Sequence, residues 1–225
     1  MGIKNKLKRG SFLYFVYLYK NLLIDNKFFL KRKSYSQFGE DNFITMFFDN
    51  FIKKGTYVDI GCFHPLKYSN TAKLYDLGWN GYNIDINKTS IDLYRIARPK
   101  DKNFNVAISE NYGETKKYYH DGFFSAISSF DKNHLINFGV KKISESTVKT
   151  DKFENLIKDK FDFLNIDCEG YDYEILKQID LNFYDPKLIC IEINKENFNE
   201  INEFLKNYNY HFLKKIGISY LFKKI

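Results

Sequence analysis

The sequence predicts an α/β fold built on a doubly wound, mostly parallel, seven-stranded sheet of Rossmann-like type, closed by a C-terminal antiparallel hairpin. Three observations lead there. Short β-branched or aromatic runs alternate with segments of helical period, the signature of parallel βα units. The last stretch, from Tyr210 to Phe222, reads as two strands joined by a tight turn at Gly217. No repeat or low-complexity linker interrupts the 225 residues, a length that supports one sizeable core. With 44% hydrophobic and 19% aromatic residues, that core is amply supplied, mainly by Phe and Tyr.

The elements follow in order. A helix is expected from about Ser36, where Glu40 and Asp41 favour the positive end of the dipole and Phe43, Ile44, Phe47, Phe48 and Phe51 form the buried stripe. Tyr57 to Ile60 is the first strand and runs into a turn at Gly61. A helix from about Asn70 to Leu77 ends on Gly78, placed as a C-terminal cap. Gly81 to Ile86 is the second strand, and Asn87 caps a helix that stops before Pro99. Asn103 to Ile108 reads as the third strand and Lys116 to Tyr119 as an inserted one. Residues 121 to 145 lack a clear pattern, and a loop of that length is commonly functional. Asp151 to Asp159 is expected to be helical, Phe161 to Asp167 a fourth strand, Asp172 to Gln178 a helix, Lys187 to Ile193 a fifth strand, and Glu196 to Asn207 a further helix.

The formal net charge is +7, with many lysines and arginines near both ends. A solvated basic face is the ordinary reading. No run couples basic residues with base-stacking aromatics in a nucleic-acid module, so no nucleic-acid partner is expected. Cys62, Cys168 and Cys190 are too scattered for a disulfide framework or a zinc site, which fits a reducing, cytoplasmic setting. Residues 1 to 34 are set apart as a basic, amphipathic extension before a domain of residues 35 to 225. The apolar run from Phe12 to Tyr19 is too short to span a bilayer. Residues 11 to 24 are read as a helix that packs on the domain or makes peripheral contact with a membrane. The oligomeric state is not legible.

In an open parallel sheet, ligands bind beyond the carboxyl ends of the strands at the switch in strand order. After strand one comes Asp59-Ile-Gly61, where a glycine lets the backbone pass close to a ligand. After strand two, 24 residues beyond Gly61, comes Asp85, an acid that can accept hydrogen bonds from both hydroxyls of a ribose. Each is common alone; together they favour a nucleoside cofactor. A dinucleotide is disfavoured because the G-x-G-x-x-G fingerprint is missing.

Several blocks then occur together: Ser36-Gln-Phe-Gly-Glu-Asp41, Tyr57-Val-Asp-Ile-Gly-Cys-Phe-His-Pro65, Ser69-Asn-Thr71, Gly78-Trp-Asn-Gly81, Val106-Ala-Ile-Ser109, Phe163-Leu-Asn-Ile-Asp-Cys-Glu-Gly-Tyr171 and Ile191-Glu-Ile193. In kind and order they resemble FkbM-type methyltransferases over roughly residues 35 to 195. The resemblance implies the class I methyltransferase version of the sheet, S-adenosylmethionine as methyl donor, and a hydroxyl acceptor, often on a sugar or natural product. A sugar, nucleotide-sugar or glycan is the expected acceptor. By motif it implies cofactor contacts at Asp59, Gly61, Cys62, Asp85 and Ile86, the amino-acid end of the cofactor at Asn70, the adenine edge at Asn105, Val106 and Ala107, and closure by Gln37 and Glu40. The bulky Cys62-Phe63-His64 run departs from the small residues common in that turn.

A sugar hydroxyl is a poor nucleophile near neutral pH, so a base, a metal ion or both must assist. Two readings stay open. Asp167 or Glu169 is a general base, its pKa raised by burial and by a neighbouring carboxylate. Alternatively Asp167, Glu192 and Asn194 hold Mg²⁺ or Mn²⁺ through oxygen ligands, an arrangement that resembles catechol-type O-methyltransferases. His64, beside the cofactor turn, is a further candidate base, and Ser125, Ser128 and Ser129 are candidate acceptor contacts. The rival functions are a sugar-nucleotide dehydrogenase or glycosyltransferase on the same scaffold, and a non-catalytic recruitment module.

Overall fold

The computed structural model describes residues 8–27, 33–49 and 52–225. After an N-terminal helix α1 (Phe12–Lys20), continued by a π-helical turn at Asn21–Asp25, come α2 (Glu40–Asp49), β1 (Thr56–Ile60), α3 (Ala72–Asp76), β2 (Asn80–Ile84), α4 (Lys88–Ala97) and β3 (Lys102–Phe104). An excursion follows: β4 (Ala107–Ile108), β5 (Thr115–His120), β6 (Ser128–Ser129), α5 (Lys132–Asn137) and β7 (Ser144–Asp151). The chain then returns through α6 (Phe153–Leu156), β8 (Phe163–Ile166), α7 (Asp172–Leu176), α8 (Leu181–Tyr184), β9 (Leu188–Glu192), a 3₁₀ turn at Lys195–Asn197, α9 (Phe198–Lys206), β10 (Tyr210–Ile216) and β11 (Ser219–Lys224).

The main sheet has seven strands in the order β3-β2-β1-β8-β9-β11-β10. The five strands from β3 to β9 are parallel; β11 runs antiparallel to both β9 and β10. The sheet is therefore mixed at one edge and parallel at its centre, with the switch in strand order between β1 and β8. Alternation along the strands sends side chains to two faces. Tyr57, Phe163, Cys190 and Leu221 meet Ile44 and Phe48 of α2, Leu74 of α3 and Trp79 on one face. Val58, Ile60, Leu164, Ile166, Ile189 and Ile191 meet α6 to α9 on the other. Each such fully buried side chain is worth about 1.5–3 kcal/mol relative to exposure, so helices on both faces are what keep this sheet folded.

The excursion between β3 and β8 makes a second sheet, β4-β7-β5-β6. Here the structure departs from the sequence reading. The expected third strand, Asn103 to Ile108, splits between the two sheets, because the Asn105 side chain donates to the carbonyls of Asp85 and Ile86, both at 2.9 Å, and turns the chain out of the main sheet. The patternless segment 121 to 145 contains β6, α5 and the start of β7. The expected helix from Asp151 to Asp159 is reduced to the single turn α6, since Asp151 is still paired with Ile108 in the second sheet. The helix expected from Ser36 starts at Glu40, and the Ser36 hydroxyl instead accepts the N–H groups of Gly39 and Asp41. Phe51 lies outside the described residues.

The N-terminal segment packs on α4. Tyr14, Leu18 and Leu22 close over Leu93, Arg9 Nε pairs with Asp92 at 2.9 Å, and the Tyr14 hydroxyl donates to Asp92 at 2.7 Å. Among the described residues no helix is long and apolar enough to cross a membrane.

Candidate active site

The turns after β1, β2 and β8 converge at the switch point. Gly61 has φ +78°, and a Cβ there would lie 1.7 Å from the Asp167 carbonyl oxygen. The glycine is thus required by the close approach of two strand ends, one of which carries the candidate base. Beyond it, Phe63 adopts φ +48°, which points its N–H at the Asp85 carboxylate, 2.8 Å away. The second Asp85 oxygen accepts the Asn87 N–H at 2.6 Å. Burial pushes the Asp85 pKa up to about 6, against the pull of these two backbone donors.

Asp85 opens into a cavity of about 470 Å³ that Ile86, Val106, Ala107 and Phe130 also line. That volume falls in the usual range for a small-molecule site. Two buried polar atoms on its lining, Ser128 Oγ and Gln178 Oε1, have no hydrogen-bond partner among the described residues. A buried, unpaired polar atom is costly, so Ser128 and Gln178 leave this cavity suited to a ligand that brings hydrogen-bonding groups. A nucleoside would meet Asp85 with its ribose hydroxyls and the apolar Ile86 and Val106 with its base. Of these residues, Gln178 had no signal in the sequence.

A smaller cavity of about 240 Å³ lies across the turn, lined by Gln37, Asp59, Cys62, Tyr68, Asn70 and Phe138 among others. Gly61, Phe63, Ala126, Asp167 and Glu169 belong to the walls of both cavities. Asp59 accepts two side-chain hydrogen bonds. Thr71 Oγ1 donates to it at 2.6 Å, Asn165 Nδ2 at 2.8 Å, and Asn70 orients that Asn165 through a 2.9 Å bond. Burial raises the Asp59 pKa, and the Thr71 and Asn165 bonds oppose the shift. The buried guanidinium of Arg98 donates to Thr71 and Ser69, each at 2.8 Å, which ties this carboxylate to a compensating charge.

Asp167 follows β8 in the shared wall. It is half-buried, and its carboxyl is held well above the ordinary carboxylate range, first by desolvation and then by the Glu192 charge. Glu169 takes φ +50° and accepts or shares a proton with His134 Nε2 at 2.8 Å, while Ser129 Oγ donates to its carbonyl at 3.0 Å. Burial raises the Glu169 pKa, and His134 partly offsets this. Asp172 closes the loop by accepting the N–H groups of Cys168 and Gly170, at 2.8 and 3.1 Å; burial lifts it to about 7.

Four predicted residues stand apart. His64 is fully buried: its Nδ1 accepts the N–H groups of Leu66 and Lys67 at 3.0 and 2.9 Å, and its Nε2 donates to Asn21 at 2.9 Å. Burial lowers its pKa to about 3, and with both nitrogens engaged it has no free site to act as a base. Glu40 accepts the Phe38 N–H at 2.8 Å, a helix-start role, and lines neither cavity. Asn105 positions the turn after β2 and is likewise not on a lining. Asn194 is exposed, and its carbonyl accepts the Asn197 N–H in the 3₁₀ turn. Among the described residues no three His, Cys, Asp or Glu side chains are grouped to hold a metal ion. Of the three oxygen ligands expected for Mg²⁺ or Mn²⁺, Asp167 and Glu192 line the smaller cavity and Asn194 does not.

Residues 55–212 match the methyltransferase FkbM domain family. The chain belongs to that family. It is an S-adenosylmethionine-dependent methyltransferase, which decides against the dehydrogenase, glycosyltransferase and non-catalytic readings. The FkbM span starts just before β1 and ends within β10, so α1 and α2 precede it. Among curated proteins no sequence matches the chain. Three solved structures are distantly similar. A Pyrococcus horikoshii protein described as a candidate RNA methyltransferase is 12% identical, with TM-score 0.45, 92% of this chain covered and 98% of that one. The 16S rRNA methylase ArmA is 16% identical, with TM-score 0.43 and coverage of 94% and 98%. The Burkholderia thailandensis 1,6-didemethyltoxoflavin-N1-methyltransferase, solved with bound 1,6-didemethyltoxoflavin and S-adenosylhomocysteine, is 10% identical, with TM-score 0.42 and coverage of 97% and 93%. Likenesses this distant do not bear on the acceptor of the FkbM protein.

Proposed function

We propose that this FkbM-family protein methylates a hydroxyl oxygen of a sugar, nucleotide-sugar or glycan, with Asp167 as the carboxylate that takes the hydroxyl proton. The observation that carries the reading is the place of Asp167: in the wall common to both cavities, with an affinity for protons raised by burial and by Glu192. When bound, S-adenosylmethionine supplies a methyl group on a positively charged sulfur. Asp85 holds the ribose, Ile86, Val106 and Ala107 the adenine, and Asp59, Asn70 and Gln37 the polar amino-acid end. Glu169, steadied by His134, orients the acceptor hydroxyl toward Asp167.

Support for a carbohydrate comes from the outer wall of the smaller cavity, where Tyr68 and Phe138 stand beside Gln37, Glu169 and Glu192. Aromatic faces next to amide and carboxylate groups suit a ring that is apolar on its faces and hydroxylated at its edge. A small acceptor, rather than a nucleic acid, is in keeping with a cavity of about 240 Å³. The three free thiols, Cys62, Cys168 and Cys190, support a cytoplasmic setting.

The test is calorimetric titration with S-adenosylhomocysteine, followed by transfer of labelled methyl to a panel of nucleotide-sugars and glycans. Asp167→Asn is expected to keep cofactor affinity within about twofold and to lower transfer by 10²-fold or more, the usual size of a general-base contribution. Unchanged turnover in that variant removes Asp167 from the chemistry; methylation confined to nitrogen acceptors overturns the hydroxyl assignment.

A further inference from the structure

The N-terminal helix buries one face and leaves the other apolar. Tyr14 and Leu18 point into the domain, while Phe12, Leu13, Phe15, Val16, Tyr19, Leu23 and Ile24 are exposed, with Phe12 at 81% and Leu13 at 65%. The outward face of a helix that merely covers a domain is polar. This one carries no polar side chain between Phe12 and Tyr19 except the half-buried hydroxyl of Tyr17.

Charge is distributed to match. Residues 1–33 hold nine of the chain's 35 Lys and Arg but only one of its 28 Asp and Glu, so residues 34–225 hold 26 and 27. The whole positive excess of the protein thus belongs to the segment that carries the apolar face. Beside that face, a groove of about 400 Å³ runs between α1 and α4. Its walls are Tyr14, Phe15, Leu18 and Ile96, and its rim carries Arg9, Lys88 and Arg95 against the single carboxylate of Asp92. Apolar walls below a net-positive rim match an acyl chain below an anionic headgroup.

We infer that the outward face of α1, with this groove, is a docking surface for an anionic phospholipid bilayer, which α1 meets lying in the interface plane. An amphipathic helix with aromatic and aliphatic residues on one side and flanking lysines inserts to the headgroup boundary, and each nearby cation adds attraction to anionic lipid. A protein partner would not require the positive excess to be concentrated here; a negatively charged surface does. The inference is independent of which acceptor the enzyme methylates.

The experiment is co-sedimentation of the full chain with vesicles of phosphatidylcholine containing about one third phosphatidylglycerol, against phosphatidylcholine alone. Binding to the anionic vesicles is expected, weakened by raising the salt concentration. The double variant Phe12→Asp/Leu13→Asp is expected to lower the partition coefficient by at least about tenfold. Because both side chains are exposed, its melting temperature and S-adenosylhomocysteine affinity are expected to match the wild type. Absence of binding to anionic vesicles overturns the proposal, as does binding that the double variant leaves intact. A dimer in solution that these same substitutions dissociate also overturns it, since the face would then belong to a second copy.

Discussion

At the residue scale, the proposed base and its neighbour set a pH signature. If Asp167 takes the hydroxyl proton it must be ionised, and its pKa is raised, so transfer is expected to climb with pH above the ordinary carboxylate range. Glu192→Gln removes the adjacent negative charge, so the half-maximal point of the pH–rate profile is expected to move to lower pH; a shift upward, or none, would refute the coupling. Asp85→Ala removes the acceptor proposed for the ribose hydroxyls and is expected to weaken S-adenosylhomocysteine binding by roughly tenfold or more, read by calorimetry. Much of this was legible in the sequence, because Asp59 lies one residue before the end of β1 while Asp85 and Asp167 directly follow β2 and β8. What was not legible is how they are held. Thr71, Arg98, Asn165 and His134 act on them through contacts between residues far apart in the chain, for which no local pattern exists. His64 misled for the same reason: its neighbours in sequence lie at the cofactor turn, but its hydrogen bonds lead to Asn21.

At the scale of elements, the close approach of β1 and β8 is the sensitive joint. Gly61→Ala sets a Cβ against the Asp167 carbonyl in a left-handed backbone conformation. A loss of about 2–4 kcal/mol is expected from urea denaturation, as for other overpacked or strained sites. Gly139→Ala, also at positive φ but with no atom near its Cβ, should cost only about 1–2 kcal/mol; equal losses would show that backbone strain, and not the Asp167 contact, governs both. The central strands were readable because β1, β8 and β9 are buried on both sides and rich in apolar residues, interrupted by Asp59 and Asn165 and ended by Glu192. β7, Ser144–Asp151, was hidden since it is mostly polar and lies at the surface, so neither alternation nor an apolar run marks it. The split of the third strand depends on one side chain, Asn105, whose bonds to the turn after β2 cannot be inferred from the run that contains it.

Across the whole molecule, buried titratable groups pull stability in opposite directions with pH. The folded state keeps His64 neutral down to about pH 3, whereas the unfolded chain protonates it near the ordinary histidine value of 6.5. The unfolded state therefore binds more protons between these values, and this contribution to stability is complete above about pH 6.5 and lost as pH falls toward 3. Asp85 and Asp172 behave inversely. Their folded pKa values of about 6 and 7 lie above the ordinary aspartate value of 3.8, so their penalty grows as pH rises through that window. The difference in unfolding free energy between wild type and His64→Gln is expected to widen by a few kcal/mol from pH 4 to 6.5; a difference that does not vary with pH would mean the imidazole is already charged in the fold. The hydrogen bond from His64 to Asn21 has a second consequence. It joins the cofactor turn to a helix that precedes the FkbM span, just as Phe48 of α2 covers Trp79 and Phe163 within that span. A fragment of residues 55–225 would strip the cover from both, and its near-ultraviolet circular dichroism is expected to lack the signal of fixed aromatic packing. The stretch by which this chain is kin to its family is shorter than the stretch that packs together in its structure.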